Sequence, residues 1–382
     1  MTIIIFIIVL AVIILVHEVG HFLLAKIFGV RVEEFGIGLP PRIWGRKVGE
    51  TLYSVNWIPL GGFVRMLGED AGDPVPKLPD VETDQLGQSN PLPIVQSVDD
   101  GAFYKKPKWK QALILIAGIS FNIIFAWLII SLGFAIGMPA PVGESVFGAT
   151  QNVQTVVTSV LPKSPADVAG LIAGDTIVSV EVGGKPVINP TAENISQTIS
   201  QSQTGDVTIS YKQGDATKTA TITPSTDIIK GERLIGISMD ELGTLKLSPP
   251  LALLEGAHTT YLLIISTAQG LAQFLWQTVT GKSNWSEVSG PNGIATVVGQ
   301  ATQLGFVYLL SLVALISINL ALINLVPFPA LDGGRLLFVA IEAVTRRPIP
   351  PKVAHWLNTA GFILLLALML FISAHDVFNL VK

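Results

Sequence analysis

The sequence predicts an α-helical polytopic membrane protein with about four transmembrane helices, a membrane-associated β-region and one small, mainly β domain inserted on the extracytoplasmic side. Three observations carry this. Of 382 residues, 49% are hydrophobic and only 14% are charged, against about 25% charged in a typical soluble domain. Four stretches are apolar over the roughly 20 residues that a bilayer crossing requires. Residues 150–245 then switch to an alternating Thr-, Ser-, Val- and Gly-rich pattern, which is the period of strands.

The formal net charge is −4 and there is no cysteine. Nucleic acid is therefore not an indicated partner. Disulfides, thiolate-bound metal and thiol nucleophiles are excluded, so any metal must be held by His and carboxylate. The apolar run at the N-terminus has no basic flank ahead of it and no small-residue cleavage pattern, and it is read as a retained span.

Residues 1–30 form the first span, and residues 2–16 contain no charged side chain. Residues 31–110 form a cytoplasmic segment. Its first part, to about residue 68, reads as short strands with a turn at Pro59-Leu60-Gly61-Gly62, leading into Phe63–Leu67. That hairpin is either an ordinary interfacial element or an exposed edge that accepts an extended peptide by strand addition, through Gly62, Phe63, Val64, Arg65 and Met66. Residues 69–100 are acidic and Pro-rich and read as irregular. The Lys105–Lys110 run with Trp109 is an interface belt before the second span, 111–137. Within that span, Ala117-Gly118-Ile119-Ser120-Phe121-Asn122 permits close helix packing and an interhelical hydrogen bond.

In the inserted domain, strands are expected at Thr155–Val160, Thr176–Val182, Val207–Tyr211, Thr217–Ile222 and Leu234–Met239, with a short helix starting at Ser164-Pro165. Residues 248–281 read as an amphipathic interfacial helix whose Glu255 and His258 lie on a solvated face. Ser289–Ile294 reads as a turn-rich loop. The third span covers 304–334 and the fourth 356–378. The 25–110 loop carries 11 Lys and Arg and the 335–355 loop carries 4, whereas the termini carry only Lys382. Positive residues stay in the cytoplasm, which puts both termini and the 138–303 segment outside.

Against this apolar background, His17-Glu18-Val19-Gly20-His21 stands out. A helix brings His17 and His21 one turn apart on one face. Two imidazole nitrogens can then share one zinc ion, with Glu18 beside them to take a proton from water. Ionisable groups inside a membrane segment are costly and mark function by default. The competing reading is a helix end whose histidines reach the interface. The second cluster is Asn319…Asn324-Leu325-Val326-Pro327-Phe328-Pro329-Ala330-Leu331-Asp332-Gly333-Gly334. Its prolines break the helix, and Asp332 is then displayed where it supplies the oxygen ligand missing from a His₂ site. A helix-terminal cap facing water is the plainer role for Asp332 alone.

Together, the His17–His21 pentapeptide and Leu331-Asp332-Gly333 resemble the site-2 protease family of intramembrane zinc metalloproteases. Asn319, Asn324, Pro327 and Pro329 fit that family's N-x-x-P-x-P-x-L-D-G pattern. Pro59–Glu69, Lys106–Asn122 and Ser289–Ala295 resemble further stretches of it. One departure is visible: Ile119 stands where the family usually has proline after Ala-Gly. Residues 150–245, through Ser164–Leu171 and Gly174–Ile177, resemble a PDZ domain, which is an α+β fold. This points to the bacterial PDZ-containing branch, of the regulator of sigma-E protease type, in the cytoplasmic (inner) membrane.

The resemblance implies one Zn²⁺ per chain on His17, His21 and Asp332, with Glu18 as the catalytic base. It implies substrate contacts from Asn324 and Asn319. It also implies single-span membrane substrates, such as anti-sigma factors and signal-peptide remnants, cut after a first cleavage outside. A peptide C-terminus at the PDZ domain, or size filtering by it, goes with this. Two other classes compete. An inactive PDZ-bearing scaffold would be free to lose Glu18. A metal transporter would need a polar path that the second and fourth spans lack.

Overall fold

The longest apolar runs become helices, because a backbone in hydrocarbon must satisfy its hydrogen bonds internally. The computed structural model describes residues 2–69, 101–143, 145–188, 190–202, 205–214, 216–229, 232–282 and 290–381. In chain order the elements are α1 (Thr2–Ile27), β1 (Val32–Val48), β2 (Thr51–Met66), a 3₁₀ turn at Phe103–Lys105, α2 (Lys108–Ile136), β3 (Met138–Pro141) and β4 (Gln151–Val160). Then follow α3 (Pro165–Val168), β5 (Thr176–Val182), β6 (Lys185–Pro186), α4 (Ala192–Gln201), β7 (Val207–Gln213), β8 (Ala216–Ile222), β9 (Ser225–Ile229), β10 (Glu232–Leu234) and β11 (Ile237–Leu245). The chain ends with α5 (Pro249–Val279), α6 (Pro291–Leu304), α7 (Phe306–Leu325), α8 (Asp332–Thr345) and α9 (Pro351–Val381).

Among the described residues, five helices are long and apolar enough to cross a membrane: α1, α2, α5, α7 and α9 through Ala374. The protein is a polytopic membrane protein. The sequence suggested about four crossings; the fifth candidate is α5, the helix read there as interfacial. Its Glu255, expected on a solvated face, is only 3% exposed. Its carboxylate accepts the backbone N–H groups of Val146 and Phe147 at 3.1 Å each. The charge that made the helix look interfacial is thus spent on two amides inside the protein. The loop expected at 289–294 is also corrected: a helix starts at Pro291, a residue suited to the first helical position. The irregular segment expected at 69–100 lies outside the described residues except for Glu69.

The chain divides into two units. The first comprises Met1–Trp127, Thr260–Gly299 and Leu312–Lys382. In it, α1 buries Val9, Ile13, His17, Gly20, His21 and Ala25, a stripe at helical spacing. Ile3, Ile4, Ile8, Val12 and Leu23 stay exposed, as a lipid-facing side requires. Gly20 allows α2 to come close: a Cβ there would lie 2.5 Å from the Ala117 carbonyl oxygen. α2 runs unbroken through Ile119, which is itself buried. A hydrophobic cluster of Ala25, Val30, Val32, Met66, Phe103, Ile114, Leu115 and Val339 ties α1, α2 and α8 to the start of β1 and the end of β2.

The β-region is two long irregular strands, not several short ones, and β1 bonds two parts of β2 at once. Phe35, Gly36 and Ile37 pair with Val64, Phe63 and Gly62, and also with Tyr53, Ser54 and Val55. Residues 42–48 pair farther out with 51–56. Residues 62–66 therefore form one outer edge of this small sheet. Phe22 of α1 packs edge-on against Phe35 and Tyr53 at 5.1 and 6.0 Å, which fixes the β-region to the helix that carries the histidines.

The second unit comprises Leu128–Thr259 and Gln300–Ser311. Its sheet has the order β3-β11-β4-β5-β7-β8, with β6 beside β5. The core of Val157, Leu171, Ile177, Val180, Ile195, Ile199, Ile209 and Tyr211 is covered by α4. Ser164 caps α3 by accepting the Asp167 N–H at 3.3 Å. β11 pairs with β4 over Ile237–Thr244 and with β3 only over Leu242–Leu245. A cavity of about 360 Å³ opens beside the unpaired part, lined by Ser196 and Ile199 of α4 and by Leu234–Met239.

The glycine contact between α1 and α2 is directly testable. Gly20→Val should destabilise the folded protein by about 1–3 kcal/mol through overpacking, read as a lowered melting temperature in detergent, whereas Val12→Ala on the exposed face should leave it nearly unchanged.

Candidate metal centre

One helical turn sets the first half of the site. His17 and His21 project from the buried stripe of α1, each 6% exposed. Their Nε2 atoms lie 3.2 Å apart. The second half comes from the break after α7. The chain leaves the helix at Leu325, turns through Val326–Leu331, and re-enters a helix at Asp332. Ala330 takes a positive φ of 75° there, and its N–H donates to Asn358 Oδ1 of α9 at 3.4 Å. Gly333 and Gly334 are required by proximity. A Cβ on Gly333 would lie 2.6 Å from the Leu325 carbonyl carbon, and one on Gly334 2.7 Å from that of Phe328. The returning loop thus packs directly on the first turn of α8 and holds Asp332 in place. At its other end α8 is anchored by Lys108, whose ammonium donates to Glu342 at 2.5 Å.

The result is that Asp332 Oδ2 lies 2.9 Å from His17 Nε2 and 3.2 Å from His21 Nε2. These three residues are the cluster with metal-ligand geometry among the described residues. The spacing fits one small cation. Ligand bonds of about 2.0–2.1 Å at tetrahedral angles put neighbouring ligand atoms about 3.3 Å apart. The donor set also fits, since two neutral imidazoles and a carboxylate favour zinc over harder ions. His21 is oriented for the task. Its Nδ1–H donates to the Ile114 carbonyl at 2.8 Å, which leaves the Nε2 lone pair directed inward. Gly118 of α2 makes room, because a Cβ there would lie 2.7 and 2.8 Å from the His21 and His17 Cε1 atoms.

Glu18 sits beside the cluster and interacts with the backbone of Val64 on the outer edge of the β-region. A cavity of about 270 Å³ joins Glu18, His21 and Asp332 to Phe63, Val64, Arg65 and Met66. Glu69 and Arg335, an ion pair, line it as well. Gly62 is adjacent: a Cβ on it would lie 3.6 Å from Glu18 Cγ. The structure therefore brings together His17, Glu18, His21 and Asp332 with the strand residues Gly62–Met66. It does not bring Asn319 and Asn324 to this cavity. Asn319 donates to the Leu315 carbonyl of its own helix at 3.1 Å, and five residues of helix turn Asn324 about 140° away from it. Sequence reasoning missed Glu69, Arg335 and the Ile114 carbonyl, and read Gly118 only as a close-packing position. Glu69 and Arg335 had no signal beyond their proximity to a motif, and a backbone carbonyl has none at all.

The model of peptidase family M50 matches residues 5–368. The chain belongs to peptidase family M50. As an M50 member of the site-2 protease type, it is a metalloendopeptidase of the membrane. Its relatives agree along nearly their whole length. A protein of Clostridium perfringens named "Putative zinc metalloprotease" is 33% identical over 367 residues, covering 95% of each chain. A Clostridium acetobutylicum protein of the same description is 31% identical, covering 98% of this chain and 97% of its own. Zinc metalloprotease RasP of Geobacillus kaustophilus is 28% identical over 438 residues, with 98% and 97% covered. In the M50 chain, the two conspicuous motifs are the ones the fold places in contact.

Removing one corner of the cluster should release metal. Asp332→Ala is expected to lower bound divalent metal from about one per chain to about a tenth of that or less, because only two ligand atoms remain; elemental analysis of the purified proteins reads this directly.

Proposed function

We propose that this chain is an intramembrane zinc metalloprotease that hydrolyses peptide bonds within transmembrane segments of single-span proteins already trimmed outside the membrane. The convergence of His17, His21 and Asp332 beside Glu18, along an open strand edge, carries this reading. His17, His21 and Asp332 hold one Zn²⁺, and Glu18 is the base. When bound, the zinc supplies Lewis acidity, which acidifies water and polarises a carbonyl. Glu18 takes the proton of the attacking water and delivers it to the leaving amine.

The chain's other task is to present the scissile bond. A transmembrane helix satisfies its own amides, so the bond is shielded until the helix unwinds. Residues 62–66 have backbone groups on an outer edge beside Glu18, and an unwound segment added there exchanges its helical bonds for strand bonds. The cavity holding Phe63, Val64, Arg65 and Met66 then receives its side chains.

In the β-rich unit, Ile237–Met239 offer a second unpaired edge next to the 360 Å³ cavity. We place there the C-terminus exposed by a first cleavage, in keeping with a PDZ domain. Anti-sigma factors and signal-peptide remnants are the substrate classes that fit a two-step sequence. Positive-inside placement, with α5 in the interface, puts the termini and this domain outside a bacterial inner membrane and the metal centre toward the cytoplasm.

The test is cleavage of a tagged single-span substrate with a short ectodomain, co-expressed with the wild type or Glu18→Gln. Glu18→Gln should cut at least about 100-fold more slowly while both proteins hold about one zinc. Two zinc-loaded proteins that both fail on several such substrates would favour the scaffold. Val64→Pro removes the edge amide that meets Glu18 and should slow cleavage about tenfold or more, at least the worth of one hydrogen bond, with zinc content unchanged.

A further inference from the structure

An imidazole that binds metal through Nε2 carries its proton on Nδ1, and that proton needs an acceptor. For His21 the acceptor is the Ile114 carbonyl. For His17 the group within reach is the side-chain amide of Asn122, whose nitrogen lies 3.4 Å from His17 Nδ1. Asn122 is fully buried in α2. In that orientation the amide donates to Nδ1, which forces the His17 proton onto Nε2. Nε2 is the atom 2.9 Å from Asp332 and 3.2 Å from His21, so the proton would sit where the metal belongs. The same orientation leaves the Asn122 Oδ1 buried with no hydrogen-bond partner.

The two ends of an amide are nearly identical in shape, and the hydrogen-bond network decides which faces which neighbour. Turning the amide over puts Oδ1 at His17 Nδ1. The orphaned oxygen gains a donor, His17 keeps its proton on Nδ1, and the Nε2 lone pair is free. We propose that Asn122 is a positioning residue that accepts the His17 Nδ1–H through its amide oxygen and so makes His17 a metal ligand. This rests on the zinc reading above and deepens it. The surroundings suit the role. The Ser317 hydroxyl of α7 donates to the Asn122 backbone carbonyl at 2.9 Å, which holds that turn of α2 in place. One turn earlier, Gly118 lets the helix approach the rings. α2 therefore supplies the acceptor for both histidines, a main-chain carbonyl for one and a side-chain amide for the other.

The test uses the full chain in detergent, stripped of metal and titrated with Zn²⁺ against a competing chelator. Asn122→Leu and Asn122→Ala should bind zinc about 10–100-fold more weakly, the usual cost of losing such a partner. Asn122→Asp, which presents an acceptor at both ends, should stay within about threefold of the wild type. The visible spectrum of the Co²⁺-loaded protein should be altered in Asn122→Leu and Asn122→Ala and retained in Asn122→Asp. A folded Asn122→Leu with wild-type zinc affinity overturns the proposal, as does an Asn122→Asp no better than Asn122→Ala. If Asn122→Leu does not fold, the Asn122→Ala and Asn122→Asp pair decides. His17→Ala is the reference: if it binds zinc as tightly as the wild type, the zinc reading itself has failed, which is a different result from any within the Asn122 series.

Discussion

Everything in the first unit depends on bringing one carboxylate to two imidazoles across more than 300 residues of chain. Three polar groups in an apolar helix layer are costly singly, since each would be an unsatisfied group away from water. Together, within 2.9–3.2 Å of one another, they satisfy each other and offer one cation a complete face. The rest of the unit serves that meeting. Gly20 and Gly118 let α2 close on α1, and Gly333 and Gly334 let the broken α7–α8 segment fold back on itself. The Lys108–Glu342 ion pair joins the start of α2 to the far part of α8. The glycines act by removing bulk near the cluster and the ion pair by fixing α8 at its far end, and none supplies a ligand.

The β-region is the complement of the metal centre. Chemistry at one point is of no use on a helical substrate whose amides are all paired. On the proposed mechanism, a strand edge beside Glu18 offers those amides another partner. Packing of Phe22 on Phe35 and Tyr53 links the β-region to α1, so the edge and Glu18 are held by the same helix. The outer hairpin exposes Trp44, Trp57 and Ile43 beside Arg42, Arg46 and Lys47, an amphipathic surface.

How much of this was legible in the sequence follows from the range of each interaction. The His17–His21 pair is one turn of helix, so spacing alone gives it. Asp332 could be read because two prolines and two glycines announce a broken helix around it. The Ser164–Pro165 start of α3 and most strand positions are local and came out near their observed places. What did not come out is long-range. Nothing in Glu255 tells that two amides 108 and 109 residues away will bury it, so α5 was read as more polar than it is. The double pairing of β1 was invisible, because Pro59 and Gly61 look like a turn and act as a shift of partner within one strand. Helix α4 was not placed, although Thr191 and the Ile195–Ile199 pair mark it in hindsight. Asn319 and Asn324 share a motif but lie about 140° apart around α7. Asn122, read as packing glue, gains its meaning only when the His17 ring is found beside it.

Residues from α1 and α8 are placed to share one zinc ion. X-ray absorption at the zinc edge of the purified, zinc-loaded chain tests it most directly. The expected spectrum shows about one zinc per chain with a shell of nitrogen and oxygen at roughly 2.0–2.1 Å and scattering from two imidazoles. A zinc that shows one imidazole or none, or a six-oxygen shell like that of a hydrated surface ion, would contradict it.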